Sequence, residues 1–305
     1  MYYFIINPAS GSGRGLSVWN RIRAELEHLH TEYRFFLLSK RGEAAILARS
    51  LSRSAHPCTV VVVGGDGTIN EVINGLESFS GITFACIPTG SGNDFVRGLN
   101  LEKNPVKALH AILHPQKVRK INIGRTETTS GTYSYAVSSG IGYDASVCDS
   151  VQKSTLKKLL NRFRSGKLIY LLTALWQLMT MKRQSFRITA DGSRTVTLEN
   201  AYFAASMNLQ YEGGGFRFCP DAQSDDDCID LIVAYNISRL NALCLLPLAL
   251  CGKHVGHRGI RIIRCKRAEI CCRLPMCVHT DGEIPGYFNR VAFSLHSEKL
   301  AVIVE

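Results

Sequence analysis

Four consecutive valines at 60–63 run straight into Gly64-Gly65-Asp66-Gly67. Thr68 then opens a helical pattern with Ile69, Val72, Ile73 and Leu76 on one face. A fully apolar, β-branched run is how a strand buried on both faces of a parallel sheet reads. A strand that ends in glycines at a helix start makes a place for phosphate. Glycines let the backbone approach the ligand, and the free N–H groups of the helix start favour negative charge. Asp66 inside that loop would repel phosphate unless a cation sat between them, which points to a Mg²⁺–nucleotide site. Taken alone, the loop reads equally well as a glycine-rich turn with a solvated aspartate.

Two further loops break that tie. An apolar strand over 2–6 is followed by Asn7-Pro8, Ser10, the alternating glycines Gly11, Gly13 and Gly15, and Arg14. Trp19, Ile22, Leu26 and Leu29 then recur at helical spacing. A third apolar strand ends at Ile87 and leads into Pro88-Thr89-Gly90-Ser91-Gly92-Asn93-Asp94. In a parallel α/β sheet such loops lie side by side at the carboxyl ends of the strands, where ligands bind. Other glycine-loop readings fail on spacing. A dinucleotide fingerprint needs glycine at 16, where Leu16 stands, and the strand near 35–38 ends in Ser39-Lys40-Arg41 with no acid for a ribose. Neither Gly-Lys pair, at 166–167 and 252–253, continues with Ser or Thr as a P-loop requires.

Taken together, the three loops resemble those of the diacylglycerol kinase-type lipid kinases, relatives of sphingosine and ceramide kinases. The family pattern NPxSGxG, GGDGTxNEVxNG and PxGTxNDFAR falls on residues 7–13, 64–75 and 88–97. Ser91 stands where the family usually has Thr, which keeps the hydroxyl. The resemblance implies ATP and Mg²⁺ as cofactors. It places nucleotide contacts at Asn7, Ser10, Gly11, Arg14, Ser39, Gly64, Gly65, Asp66, Gly67, Thr68, Asn70, Ser91 and Asp94. Asp66 and Asp94 would organise the catalytic Mg²⁺, directly or through water.

The remaining motifs lie in the second half of the chain. Gly140, Gly142 and Asp144 match an element expected to line the cleft between domains. Lys167 sits in a Gly-Lys-Leu-x-Tyr element, where a charge could face phosphate or simply water. Residues 213–233 resemble a block that holds a structural Mg²⁺ in relatives, here through the carbonyls of Gln223 and Cys228 and the side chain of Asp226. Asp227 replaces the family's glycine. The Asp-Gly-Glu at 281–283 is by itself an ordinary hairpin turn. By resemblance, Asp281 is the general base for the lipid hydroxyl and Glu283 a neighbouring acid that organises the site.

Coarse patterning gives an α/β fold: a doubly wound nucleotide-binding domain over 1–122, then a mainly antiparallel β-sandwich domain over 123–296 for the lipid substrate. The last strand, in 297–305, is expected to return to the first domain. Helices are expected near 16–29, 43–52, 68–76 and 106–113, and Asp191-Gly192 signals a hairpin. The net charge of +11 suits an anionic partner. No nucleic-acid module is visible, so an anionic membrane surface carrying the lipid is the expected partner. The resemblance adds a homodimer.

Eleven scattered cysteines without a C-x-x-C pair read as reduced cytosolic thiols, and no secretory signal is visible. The apolar stretches 168–181 and 240–251 fall short of the ~20 residues of a membrane span. Both read as helices packed on a core, the first with a basic approach (Lys153, Lys157, Lys158, Arg162, Arg164, Lys167) that could rest on a bilayer. The expected protein is therefore cytoplasmic and peripherally membrane-associated. Two rivals stand beside the lipid kinase: a NAD kinase-like nucleotide kinase, and a non-catalytic lipid- or nucleotide-binding regulator. Gly92-Asn93-Asp94-Phe95 favours the lipid kinases over the first, and the presence of Asp281 disfavours the second.

Overall fold

The structure, a computed structural model, describes residues 1–54, 56–153 and 166–304, and of 166–171 only the backbone. Its first half alternates β1 (Tyr2–Ile6), α1 (Ser10–His28), β2 (Tyr33–Leu37), α2 (Glu43–Ser52), β3 (Cys58–Gly64), α3 (Asp66–Gly75), β4 (Ile82–Pro88), the short α4 (Asp94–Gly98), α5 (Pro105–Leu113) and β5 (Val118–Ile121). The strands order as β2-β1-β3-β4-β15-β5, where β15 (Leu300–Ile303) is the final strand of the chain. All neighbours are parallel except β15 and β5. The C-terminal strand therefore returns to this sheet and sits inside it, between β4 and β5.

The four valines show why β3 lies at the centre. Val60 and Val62 face one core with Ile5, Phe84, Ile69, Val72 and Ile73. Val61 and Val63 face the other, with Phe4, Ile6, Trp19, Ile22 and Leu26. A strand covered by helices on both sides has no polar face, so the alternation disappears from its sequence. Each fully buried Val or Ile contributes roughly 1.5–3 kcal/mol relative to exposure.

From Gly124 the chain builds a nine-stranded, antiparallel sheet. Its strands are β6 (Gly124–Thr128), β7 (Gly131–Tyr135), β8 (Ser138–Gly142), β9 (Gln184–Ala190), β10 (Arg194–Met207), β11 (Ile229–Tyr235), β12 (Ile260–Cys265), β13 (Ala268–Thr280) and β14 (Glu283–Leu295). The long β10 and β13 each pair β9 with one end and β8 with the other. Register shifts in both let the sheet fold back on itself. The enclosed core holds Phe186, Ile188, Leu231, Val278 and Phe293. Asp191 (φ 50°) and Gly192 (φ 73°) form the β9–β10 hairpin turn, as the left-handed pair of such a turn requires.

Among the described residues three helices attach to this sheet: α6 (Tyr143–Lys153), α7 (Gly166–Thr180) and α8 (Arg239–Leu250), the last containing Pro247. No helix among the described residues is long and apolar enough to cross a membrane. The expectation that α7 and α8 pack on a core holds for one face of each. Leu178, Ala242, Leu245 and Leu246 join a core cluster. The other faces are exposed: Leu172 at 55%, Trp176 at 58% and Leu240 at 72%. An apolar helix reads the same in sequence whether both faces or one are buried. Of the basic approach, Lys157, Lys158, Arg162, Arg164 and the Lys167 side chain lie outside the described residues.

Candidate active site between the two sheets

The three glycine loops meet at the carboxyl ends of β1, β3 and β4, and hydrogen bonds lock them to one another. Asn7 donates from Nδ2 to Thr68 Oγ1 at 3.0 Å. Ser10 Oγ bonds the Asn7 carbonyl and the Thr89 hydroxyl. Thr89 N–H donates to the Gly64 carbonyl at 2.8 Å, and Arg14 reaches the Gly90 carbonyl at 3.3 Å. Gly11, with φ of 58°, passes so close to loop three that a Cβ there would lie 2.1 Å from the Thr89 carbonyl oxygen. A Cβ on Gly90 would come within 2.6 Å of the Gly65 Cα. Side chains are excluded where the loops touch, which leaves main-chain N–H groups to line the surface. Gly11, Ser12 and Gly13 all have positive φ, and regular helix begins only after them. The turn thus bends N–H groups toward the loops ahead of a helix N-terminus, an arrangement that suits anions.

Two carboxylates occupy the floor of this surface. Asp66 opens α3 and accepts from the Phe95 N–H at 3.2 Å, capping α4 from outside. Asp94 accepts from the Gly214 N–H at 2.6 Å and pairs with Arg97. A Cβ on Gly92 would stand 2.9 Å from an Asp66 oxygen and 3.7 Å from an Asp94 oxygen, so both acids face the same small space. Burial pushes Asp66 above the carboxylate range against the pull of its main-chain donors. Asp94 is pushed up to about 6 by burial and then by the charge of Asp66. Among the described residues Asp66 has no cationic partner within ion-pair distance. The half-buried Asp66 without a cationic partner, beside the buried Asp94 that Arg97 meets, offers carboxylate oxygens that would suit a hard divalent cation such as Mg²⁺.

The second sheet brings its own acids to the cleft. Glu283 pairs with Arg41 of the first domain, and its Oε1 lies 3.3 Å from where a Cβ on Gly67 would be. It faces the glycine loop. Asp281 (φ 48°) stands behind it and is fully engaged. Its Oδ1 accepts from Val137 and Ser138 N–H, at 2.9 and 3.0 Å, and its Oδ2 from Ala136 N–H and Asn70 Nδ2, at 2.8 and 3.0 Å. Those four donors fill the four lone-pair positions of a carboxylate. Burial nevertheless raises its pKa, and the donors pull it back. As placed, Asp281 has no acceptor position left for an incoming hydroxyl. It ties the 280–283 turn, the 136–138 backbone and α3 together. Asn70 belongs to the same junction, since its Nδ2 also donates to the Ser134 carbonyl at 3.2 Å.

The other expected contacts divide. Gly64, Gly65, Gly67 and Thr68 are in the central loop, and Ser91 is exposed at the tip of the third. Ser39 is exposed, and both its N–H and its hydroxyl donate to Glu43 at 2.7 Å. The structure gives it the role of holding the start of α2. In the 224–228 segment, each of three consecutive acids meets a basic side chain. Asp225 pairs with Arg119, Asp226 with Arg264, and Asp227 with Lys299. Asp227 (φ 61°) takes the glycine-like backbone of the position it fills, and also accepts from Asn122 Nδ2 at 2.9 Å. A divalent ion on Asp226 would have to share that carboxylate with a guanidinium. As placed, Asp226 is taken by Arg264, and a Mg²⁺ at Gln223, Asp226 and Cys228 would need that pair to open.

One cluster escaped sequence reasoning. His279 Nε2 lies 3.0 Å from Asp144 Oδ2 and 3.4 Å from Glu212 Oε1, and all three are buried. Burial works against a charged ring, but Glu212 and Asp144 outweigh it and hold the His279 pKa up at about 10. An imidazolium between two carboxylates supplies its own cation. The residues are far apart in sequence and in no shared motif, so only the fold brings them together.

A glycine-loop α/β surface with paired acids, facing a second β domain across a cleft, defines a phosphotransferase architecture. The comparisons with known proteins agree. The diacylglycerol kinase catalytic domain family matches residues 1–126, and the YegS C-terminal NAD kinase beta sandwich-like domain matches residues 136–304. The chain is 30% identical over 291 residues to the candidate lipid kinase YtlR of Bacillus subtilis, covering 93% of this chain and 94% of that one. It is 26% identical over 281 residues to a diacylglycerol kinase of Mycobacterium tuberculosis, covering 92% and 87%. Among solved structures, a candidate diacylglycerol kinase from Bacillus anthracis superposes with a TM-score of 0.78 at 22% identity, covering 100% and 97%. An NAD kinase from Archaeoglobus fulgidus in complex with ATP superposes at 0.54 and 12% identity, covering 99% and 93%, which shows a shared fold. The chain belongs to the diacylglycerol kinase family of lipid kinases.

Proposed function

We propose that this protein transfers the γ-phosphoryl group of ATP to a primary hydroxyl of a lipid, diacylglycerol giving phosphatidic acid. The observation that carries the proposal is the cleft itself. Three interlocked N–H-lined loops stand on one side and a Glu-bearing turn on the other, within reach of the central loop. Phosphoryl transfer asks mainly for positioning and charge neutralisation. The loops would hold the triphosphate, and Arg14 would offset its charge. Mg²⁺ held by Asp66 and Asp94 would neutralise charge on the transferred group. The lipid hydroxyl oxygen bonds to the γ-phosphorus, the bond to the β-phosphate oxygen breaks, and ADP leaves. Glu283 would take the hydroxyl proton, its pair with Arg41 opening as substrate binds, with Asp281 fixing the turn that carries it.

An apolar pocket in the second domain, lined by Tyr143, Leu178, Phe203, Leu245 and Leu246, is the kind of surface an acyl chain and not a nucleotide would seek. The test is turnover of labelled ATP against a lipid panel and NAD. Transfer to diacylglycerol is the expected result. Transfer to NAD alone, or nucleotide binding without transfer to any hydroxyl, overturns it.

A further inference from the structure

The positive charge of this chain is not spread evenly. Residues 150–190 contain nine Lys or Arg and no Asp or Glu, and residues 231–268 contain seven and none. The rest of the molecule carries 20 basic residues against 25 acidic ones. All of the net charge of +11 therefore comes from two stretches, and each stretch contains one of the apolar helices, α7 or α8.

Those two helices share a geometry. They turn inner faces to one apolar cluster and line the same cavity through Leu178, Ala242, Leu245, Leu246 and Ala249. Their opposite faces are uncovered. On α7, Leu172, Trp176 and Met179 recur at i, i+4 and i+7 and are 55%, 58% and 51% exposed. On α8, Leu240, Leu243 and Leu250 are 72%, 39% and 50% exposed, with Pro247 exposed among them. Basic residues stand at the ends. Lys182 and Arg183 follow α7, Arg239 opens α8, and Lys253 follows it. Arg183 donates to the Ile237 carbonyl at 2.9 Å and Arg239 to the Met181 carbonyl at 3.4 Å, which stitches the end of α7 to the start of α8.

We propose that the outer faces of α7 and α8 form one platform that lies in the surface of an anionic lipid bilayer, with the cavity between the helices opening toward the acyl chains. The inference rests on the lipid-kinase reading and names the surface through which that site meets its substrate. Charge decides the occupant. An apolar face with the exposed Lys182 and Lys253 at its ends, on helices that carry no acid, matches a leaflet of anionic headgroups, while Arg264 and Arg267 are paired with Asp226 and Glu127 and lie outside that rim. Helices of 15 and 12 residues are too short to cross a bilayer but long enough to lie in it.

The two tryptophans supply the test. Trp19 is 2% exposed in the first core, whereas Trp176 is on the platform. In the full chain with Trp19→Phe, Trp176 fluorescence is followed against vesicles of phosphatidylglycerol with phosphatidylcholine, and of phosphatidylcholine alone. A blue shift with the anionic vesicles, weakened by salt, is expected. In a Leu172→Gln/Leu240→Gln variant, whose changes are at exposed positions, vesicle affinity should fall by roughly tenfold or more. Its turnover of a short-chain, monomerically dissolved diacylglycerol should stay unchanged.

Vesicle binding without a Trp176 shift overturns insertion, because charge alone would then hold the protein. A Trp176 already blue-shifted in a dimer without vesicles overturns it too, since a second copy would then cover the face. Transfer to the short-chain lipid with no vesicle binding defeats this inference and leaves the kinase reading intact. Insertion without transfer to any lipid does the reverse.

Discussion

The cleft and the 224–228 loop both gather carboxylates, and they treat the charge in opposite ways. In the loop, Asp225, Asp226 and Asp227 each meet their own cation, from β5, from β12 and from the residue before β15. Arg119 holds Asp225, and Lys299 holds Asp227, below the usual carboxylate range. In the cleft, burial pushes Asp66 and Asp94 above it. In the loop each acid has its own cation, whereas in the cleft Arg97 meets Asp94 and Asp66 has no basic partner among the described residues. A buried acid left short of positive charge stores an unfavourable energy that an outside cation relieves. The contrast favours the cleft over the loop as the proposed place of the divalent cation.

The largest effect expected from this contrast is on turnover. Asp66→Asn should lower it about a thousandfold or more, since a metal contributes several kcal/mol of charge stabilisation and ~1.4 kcal/mol is a factor of ten. Its melting temperature should change little, since relief of a costly buried charge offsets the loss of the main-chain donor it accepts. Asp226→Asn should do the opposite. Turnover stays near wild type while the melting temperature drops by about 1–3 °C, the scale of one half-exposed ion pair. Swapped outcomes would break the comparison.

The next prediction separates the two acids of the 281–283 turn. Glu283→Gln should cost about 10²–10⁴ in turnover with stability unchanged. Asp281→Asn should act first on the fold. Its amide would face main-chain N–H groups and leave buried donors unsatisfied, at roughly 1–3 kcal/mol each. A melting temperature lower by about 3–10 °C is the reading that checks it. A stable Asp281→Asn protein with abolished turnover would return the base to Asp281.

A smaller effect concerns pH. With Asp94 raised to about 6, Mg²⁺–ATP affinity should weaken as pH falls through about 6, where a proton takes the place of the cation. The sign for stability follows from the same shift. The folded state binds the Asp94 proton more tightly than the unfolded state does. The cost of ionising it therefore grows as pH rises from ~4 to about 6 and is constant above. The melting-temperature gap between Asp94→Asn and wild type should widen between pH 4 and 7. Asp225 and Asp227 run the other way. Their contribution is present above ~4 and is lost as pH falls through their lowered values.

How much of this was legible in the sequence depends on how far apart the partners lie. The central strand, its glycine loop and the helix after it are local, and the valine run announces burial on both sides. The loops at 7–15 and 88–94 are local too, so their alignment at strand ends follows from the fold class. What the sequence hid was pairing over distance. Asp226 and Arg264 are 38 residues apart, and Asp225 and Arg119 are 106 apart. Nothing in a run of three aspartates tells whether a cation is needed or already supplied. The engagement of Asp281 was hidden for the same reason, because three of its four donors are backbone N–H groups at 136–138, which no side chain advertises. The apolar faces of α7 and α8 misled because hydrophobicity states what a face avoids and not what covers it.

The central claim, that the cleft and not the 224–228 loop takes the divalent cation, is tested most directly by counting bound metal. Mn²⁺ can be titrated into the protein and followed by electron paramagnetic resonance, with and without a non-hydrolysable ATP analogue. The account predicts nucleotide-dependent Mn²⁺ binding that disappears in Asp66→Asn and persists in Asp226→Asn. Tight Mn²⁺ binding without nucleotide that disappears in Asp226→Asn and survives Asp66→Asn would contradict it.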